Sequence, residues 1–515
     1  MRSYRVNVAG EDEDGAGWIY TPRAAALIAD PLHVGRAVSQ HERGIGDPRD
    51  DGFIAGRVAT CSNDQTARAL SSARAAQPEW AKVPLERRLQ WVVAVHDELR
   101  RRAGDLHAVL VDEGHPAGLA DWEVSSILAC CHPDSVALGR ELASQEYEAD
   151  GHRIRLRYRP DGVVCLSPPQ NAAASNSLHG VWALAGGNAV VVGAPRSSNL
   201  GVMFAYQEIV APLLRRAGAP PGVLSVLCDS TASMLEAWLA SPDVDDIYYF
   251  GTSRRGLALG QECFARGKKP ILELSGNDGV LVWEDADVTG AAKALTEAFF
   301  GSGQICMVPR FALVHPGVAH ELEHTLTAMV GRLRPGLPDD PEVILSPGFK
   351  GPLFHNAIAE SVAAGGQVLI GGGATDHRGK PNNSGMFLQP TVIRVGGLRA
   401  ARTIGSILAE TFFPLLHLIV VSDGGHDPLG AAIAFLNANP YGLRNSLWSP
   451  DPAVADRFVD ELRGGGILKI NESHVGIVPI LPTHGGTGRS GGPFGGAAIP
   501  LLRTCRLQAV CEPSG

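Results

Sequence analysis

From Gly162 to Gly276 short apolar runs alternate with stretches whose apolar residues recur every three to four positions. The runs "GVVCLS", "NAVVVGA", "GVLSVLC", "DDIYYFG" and "KKPILELSG" are apolar almost throughout, the pattern of strands buried on both faces. Between them "SLHGVWALAGG" and "LGVMFAYQEIVAPLLRRAG" read as helices, the second closed by glycine. A second block of the same kind follows Asn277. It runs through "DGVLVWE", the helix "VTGAAKALTEAFFGSG", "RFALVHP" and the helix around "AHELEHTLTAMVGRL". It continues with "GGQVLIGG", "PLLHLIVVS", "PLGAAIAFLNAN" and "GGILKIN". Upstream, residues 65–130 carry helical spacing broken at Pro78, Pro84 and Pro116. In Tyr147 to Gly162, Ile154, Leu156 and Tyr158 alternate with Arg155 and Arg157 behind an Asp150-Gly151 turn, which predicts a β ribbon. The expected fold class is α/β: a doubly wound parallel sheet, a second α/β domain and a small β ribbon.

Composition narrows this only a little. With 515 residues, 45% hydrophobic and 19% charged, the chain reads as globular with two or three domains. The net charge of −9 and the lack of a basic stripe argue against a nucleic-acid partner. No apolar run reaches the roughly 18 residues of a membrane span. The polar, acidic start "MRSYRVNVAGEDEDGAG" is unlike a signal peptide. Nine cysteines without a CxxC pair suit free thiols in a reducing cytoplasm.

Two stretches could carry chemistry. "AHELEH" holds His320 and His324 at zinc-helix spacing. With Val318 at zero, Leu322, Leu326, Met329, Val330 and Leu333 fall between roughly 20° and 120° on the helix wheel, and the histidines near roughly 200° and 240°. They share the solvent face, so no metal site is expected. "FFGSGQIC" ends at Cys306 on a loop turned by Gly301 and Gly303, where backbone and ligand can approach closely. A thiol there is reactive where its pKa is lowered and it can be reached.

"LELSGND", "DADV", "GSGQIC" and Arg310 together resemble the active-site segment of the aldehyde dehydrogenase superfamily. "EWAKVPLERRLQW", "VDEGHP", "YYFGTSRRG", "ETFFP", "NANPYGL", "GGGILKIN" and "GGPFGG" resemble its other landmarks, in order, from about residue 65 to the end. The resemblance implies a dinucleotide-binding domain of residues 1–144 and 162–273, a catalytic domain of 274–484, and an oligomerisation ribbon and tail of 145–161 and 485–515. It implies NAD(P)-dependent oxidation of a small aldehyde to an acid. Cys306 would be the nucleophile and Glu273 the base that activates water. Asn171 would complete the oxyanion hole, or Gln170 by a simple count from Pro168. Ser167, Ala194, Arg196, Gly251, Ser253, Glu410 and Phe412 would bind the cofactor, with Glu410 on the nicotinamide ribose. A homodimer or homotetramer is implied.

Several positions depart from the pattern. "APRS", Ala194 to Ser197, lacks the usual lysine and ribose-binding carboxylate, and Arg196 tilts the implied cofactor toward NADP. Arg254 and Arg255 in the phosphate turn tilt it the same way. "SPPQNAAAS" resembles the CoA-acylating branch, which keeps a CoA-acylating dehydrogenase or acyl-thioester reductase as an alternative. The altered ribose site also leaves a silent cofactor-binding scaffold. "PPQN" and "HGGTGRSGGPFGG" are similar to the phenylacetate-degradation branch, and suggest an aromatic or CoA-linked aldehyde.

Overall fold

A computed structural model describes residues 1–497 and 499–514. The first block forms a seven-stranded sheet in the order Lys269–Glu273, Asp246–Phe250, Val163–Ser167, Ala189–Ala194, Leu224–Cys228, Val6–Val8, Glu11–Glu13. The first five strands are parallel. The two N-terminal strands extend the edge antiparallel. Val163–Ser167 lies between its successor and Asp246–Phe250, so the strand order reverses there. Such a reversal opens a crevice at the carboxyl ends of the strands.

The second sheet runs Gln367–Ile370, Thr391–Gly396, Leu415–Val420, Pro309–Val314, Asp278–Val282, Arg444–Trp448, Ile467–Ile470. Only Gln367–Ile370 is antiparallel to its neighbour. Apolar cores fill both of its faces. The edge strand of the first sheet ends at Glu273, and Asp278 begins an interior strand of the second. Four residues therefore join the carboxyl end of one sheet to the amino end of the other. A separate three-stranded sheet is the ribbon, Ser144–Ala149 and His152–Pro160, with Cys505–Pro513 added along its second strand. Asp150 and Gly151 both take positive φ at its turn.

Two elements differ from the spacing. Pro78 does not interrupt the helix Asn63–Lys82. Ser62 and Gln65 form a capping box at its start, and Ala69, Leu70, Ala73, Ala76 and Trp80 are buried along one face. Packing over five turns outweighs one lost N–H. The stretch Leu200–Arg216 is helical throughout but widens to a π-helix at Phe204–Val210, next to Pro212, which has no N–H to give the preceding turn.

Candidate active site

The helix Val288–Thr296, capped by Asp287, passes into a tight turn at Glu297–Gly303. Gly301, Ser302 and Gly303 take φ of 55°, 56° and 70°. A Cβ at position 303 would lie 2.5 Å from the Phe413 carbonyl oxygen. Ser302 tolerates the left-handed region because its hydroxyl donates to Ser346 O at 2.6 Å and accepts from Ser346 N–H at 3.0 Å. Arg310, fully buried, donates to Gly303 O and Ile305 O, both at 2.8 Å. The loop bearing Cys306 is thus held from two sides. Sequence reading found its glycines but not Ser302 or the task of Arg310.

Asn171 Nδ2 donates to Gln304 O at 2.8 Å, two residues from the thiol. Gln170 is exposed. Of the two amides considered, the structure brings only Asn171 to the cysteine loop. The Cys306 N–H donates to no acceptor among the described residues. Gly276 passes so close that a Cβ there would lie 2.0 Å from Cys306 O. Its own N–H donates to Glu410 Oε1 at 3.1 Å. Phe412 adopts φ 59°, with Lys350 Nζ 5.1 Å from its ring centroid. Lys350 was not singled out from the sequence.

Charge around the thiol runs against the expectation of a lowered pKa. Burial, then Glu410 and Asp278, push Cys306 up to about 12, and Arg444 and Arg310 only partly oppose them. Burial raises Glu410 as well. Asp278 rises to about 7 for the same reason. In the free protein Cys306 is a neutral, partly exposed thiol.

Glu273 is buried at its strand end. Its Oε2 accepts from Gly485 N–H at 3.0 Å, and its Oε1 is ion-paired with Arg503. Ser167, Ala194 and Gly251 stand at the carboxyl ends of the first sheet's strands or just beyond. Ser253 opens the helix Ser253–Ala265, capped by Thr252, and its hydroxyl donates to Arg489 O at 2.7 Å. Arg255 is committed to Glu262, whereas Arg254 is exposed. Arg196 is about half exposed and lies 3.9 Å from Asp229. Asp229 is thus a carboxylate beside the "APRS" segment that sequence reading did not find.

An apolar patch closes the other side of the thiol. Leu119, Ile305, Met307 and Val475 are buried together, with Trp122, Phe300 and Cys306 packed against them. Glu297 secures this wall, accepting from Ser473 Oγ at 2.6 Å and Val475 N–H at 3.0 Å. Trp122 Nε1 donates to Val475 O. The two nearby guanidiniums are already engaged: Arg310 on the loop carbonyls, and Arg444 on His474 O and Thr483 O. His320 and His324 lie far from this, on the exposed face of the helix Pro316–Val330.

The profile of the aldehyde dehydrogenase family matches residues 39–500. The chain belongs to the aldehyde dehydrogenase family. It is similar to N-succinylglutamate 5-semialdehyde dehydrogenase of Novosphingobium aromaticivorans, at 28% identity over 84% of this chain and 86% of that protein. It is similar to a benzaldehyde dehydrogenase [NAD(+)] of Pseudomonas putida, at 29% over 88% and 90%. Among solved structures, an NAD-dependent aldehyde dehydrogenase from Sinorhizobium meliloti superposes with a TM-score of 0.80 at 22% identity, covering 100% of this chain and 96% of that one. The chain is an NAD(P)-dependent aldehyde dehydrogenase. No helix among its described residues is long and apolar enough to cross a membrane.

Proposed function

We propose that this aldehyde dehydrogenase oxidises an uncharged, aromatic or bulky apolar aldehyde to its acid through Cys306. The Cys306 sulfur attacks the aldehyde carbon as its thiol proton leaves to solvent. The carbonyl oxygen becomes an oxyanion, which accepts from the second N–H of Asn171 Nδ2 and from Cys306 N–H. The bound oxidised dinucleotide supplies the acceptor for the hydride that leaves the thiohemiacetal carbon. Glu273 then takes a proton from a water molecule whose oxygen attacks the thioester carbon. The C–S bond breaks, its electron pair returns to sulfur, and the acid departs.

The residues suit a dinucleotide. Strand ends, Gly251 and the N-terminus of the helix at Ser253 offer a phosphate cradle. Beside Glu410, Thr411 Oγ1 is buried without a partner among the described residues, as a ribose hydroxyl contact would require. NADP is the proposed preference, because Arg196 and Arg254 are exposed cations in reach of this region. Asp229 beside Arg196 is the feature that would favour NAD.

The apolar wall beside Cys306 carries the substrate reading. A substrate carboxylate packed against Leu119, Trp122, Ile305, Met307 and Val475 would find no cation within that wall among the described residues, and an unpaired buried charge is costly. kcat/KM for benzaldehyde should exceed that for succinate semialdehyde by about 100-fold or more, or about 2.7 kcal/mol. Equal values, with either NAD or NADP, would overturn the reading. The same assay with CoA added distinguishes the acyl acceptor. Free acid as the product, identified by mass, supports water and Glu273; a CoA thioester supports the acylating alternative. We further propose that the ribbon joins subunits into a dimer or tetramer, since a sheet of three exposed strands gains stability by packing.

A further inference from the structure

Glu273 is not free at its strand end. Its Oε1 pairs with the Arg503 guanidinium and its Oε2 takes the Gly485 N–H, while both side chains are nearly inaccessible, at 3% for Glu273 and 9% for Arg503. Arg503 closes the short helix Pro500–Arg503, directly before the C-terminal strand Cys505–Pro513. The sequence places it in the oligomerisation tail, residues 485–515, without a role of its own. Its Nη1 also donates to Tyr248 Oη at 3.2 Å, and its guanidinium carbon lies 5.4 Å from that ring's centroid.

The groups behind this pair are neutral. Tyr248 Oη meets His179 Nδ1 at 3.0 Å, and His179 Nε2 meets His484 Nδ1 at 3.1 Å. Burial holds Tyr248 up at about 12 and pushes His179 and His484 down, the latter to about 3. Lys269, at the far end of the same strand, is engaged with Asp161 and the carbonyls of Arg503 and Cys505. Arg444 is engaged with His474 O and Thr483 O. Arg503 is therefore the one charged group in contact with Glu273 among the described residues.

We propose that Arg503 is a positioning residue for the general base: delivered by the C-terminal segment, it holds the Glu273 carboxylate ionised and oriented, so that release of the acyl group depends on the guanidinium and its formation does not. This rests on Glu273 being the base. A guanidinium in contact favours the ionised carboxylate, which keeps the base competent at lower pH. A neutral replacement leaves the carboxylate buried among neutral groups, where protonation comes sooner.

The test uses the full-length enzyme with benzaldehyde and cofactor, following the pre-steady-state burst of reduced cofactor and the steady rate from pH 5.5 to 9. In Arg503→Gln and Arg503→Met the burst should keep its amplitude and rate. The acid limb of the steady rate should move upward by about one pH unit or more. Just below neutrality this slows deacylation on the order of tenfold, and the loss should vanish at high pH. Arg503→Lys should return the limb toward wild type. Acid limbs in Gln and Met variants that coincide with wild type, while Glu273→Gln retains a burst and loses turnover, would overturn the proposal and leave the base assignment standing. Wild-type turnover in Glu273→Gln would overturn both.

Discussion

Cys306 is the nucleophile we propose, yet its surroundings favour the neutral thiol. With the thiol at about 12, the thiolate at neutral pH is on the order of one part in 10⁵. Iodoacetamide labelling of Cys306 in the free enzyme should therefore climb about tenfold per pH unit up to pH 10. Cys511, exposed on the ribbon, will label first unless replaced by serine. Glu410→Gln removes the largest charge that opposes the thiolate. It should speed Cys306 labelling at pH 8 by about tenfold while it impairs turnover. Peptide mapping that finds no acceleration would mean the carboxylate does not act on the sulfur. The tight loop that bears the thiol was legible in the sequence because glycines at 301 and 303 mark close backbone approach. Its charge balance was not, because Asp278, Glu410 and Arg444 are brought to it by segments far apart in the chain.

The segment that presents Asn171 is braced from below by the turn before the helix Ala117–Cys130. His115 Nε2 lies 3.2 Å from Asn171 O and 3.1 Å from Glu123 Oε2. Glu123 also accepts from Ser175 N–H and Ser175 Oγ, both at 2.9 Å. Burial opposes charge on His115, but Glu123 and Glu113 outweigh it and raise it to about 9. Burial likewise opposes charge on Glu123, and His115 outweighs it, lowering the carboxyl. The raised histidine contributes stability that is full below pH 6.5 and fades as pH rises through 9. The depressed carboxyl contributes stability present above about 4.5 that fades in acid. The melting temperature should thus fall between pH 6.5 and 9. His115→Ala, which strands a buried carboxylate, should cost roughly 3–5 kcal/mol at pH 6 and flatten that slope. A variant with the wild-type slope in calorimetry would show that the pair does not titrate. Continuous apolar strands such as Ala189–Ala194 were evident from pattern alone. Arg444–Trp448 was not, although all five of its residues are buried. Its Arg444, Asn445 and Ser446 hydrogen-bond to His474, Thr483 and Gly464 in neighbouring loops, and a hydrophobic period cannot detect a strand whose interior is polar. Val6–Val8 was hidden for a related reason, as three residues within an acidic stretch that become core only against Leu224–Cys228.

The C-terminal strand ties the ribbon to the active site. Cys505–Pro513 pairs with His152–Pro160 along its whole length, and Arg153 and Arg155 both reach Glu512. Leu507, opposite Tyr158, is 55% exposed and Tyr147 is 49% exposed. Large apolar side chains on a projecting sheet are natural subunit contacts. Leu507→Arg should leave the fold intact, since the side chain is solvent-facing in the monomer, and lower the mass measured by light scattering to that of one chain. An unchanged assembly would place the subunit contact elsewhere. The same variant tests whether assembly reaches the chemistry, because only Thr504 separates Arg503 from this strand. Should subunit packing hold Arg503 on Glu273, the monomeric variant will keep its burst of reduced cofactor and lose steady turnover below neutral pH, as Arg503→Gln does. Wild-type enzyme diluted until it dissociates should show the same split. A monomer with a full steady rate at pH 6 would mean that the short helix Pro500–Arg503, packed beneath Gly139 and Gly186 through Leu501, holds the ion pair without help from a second subunit.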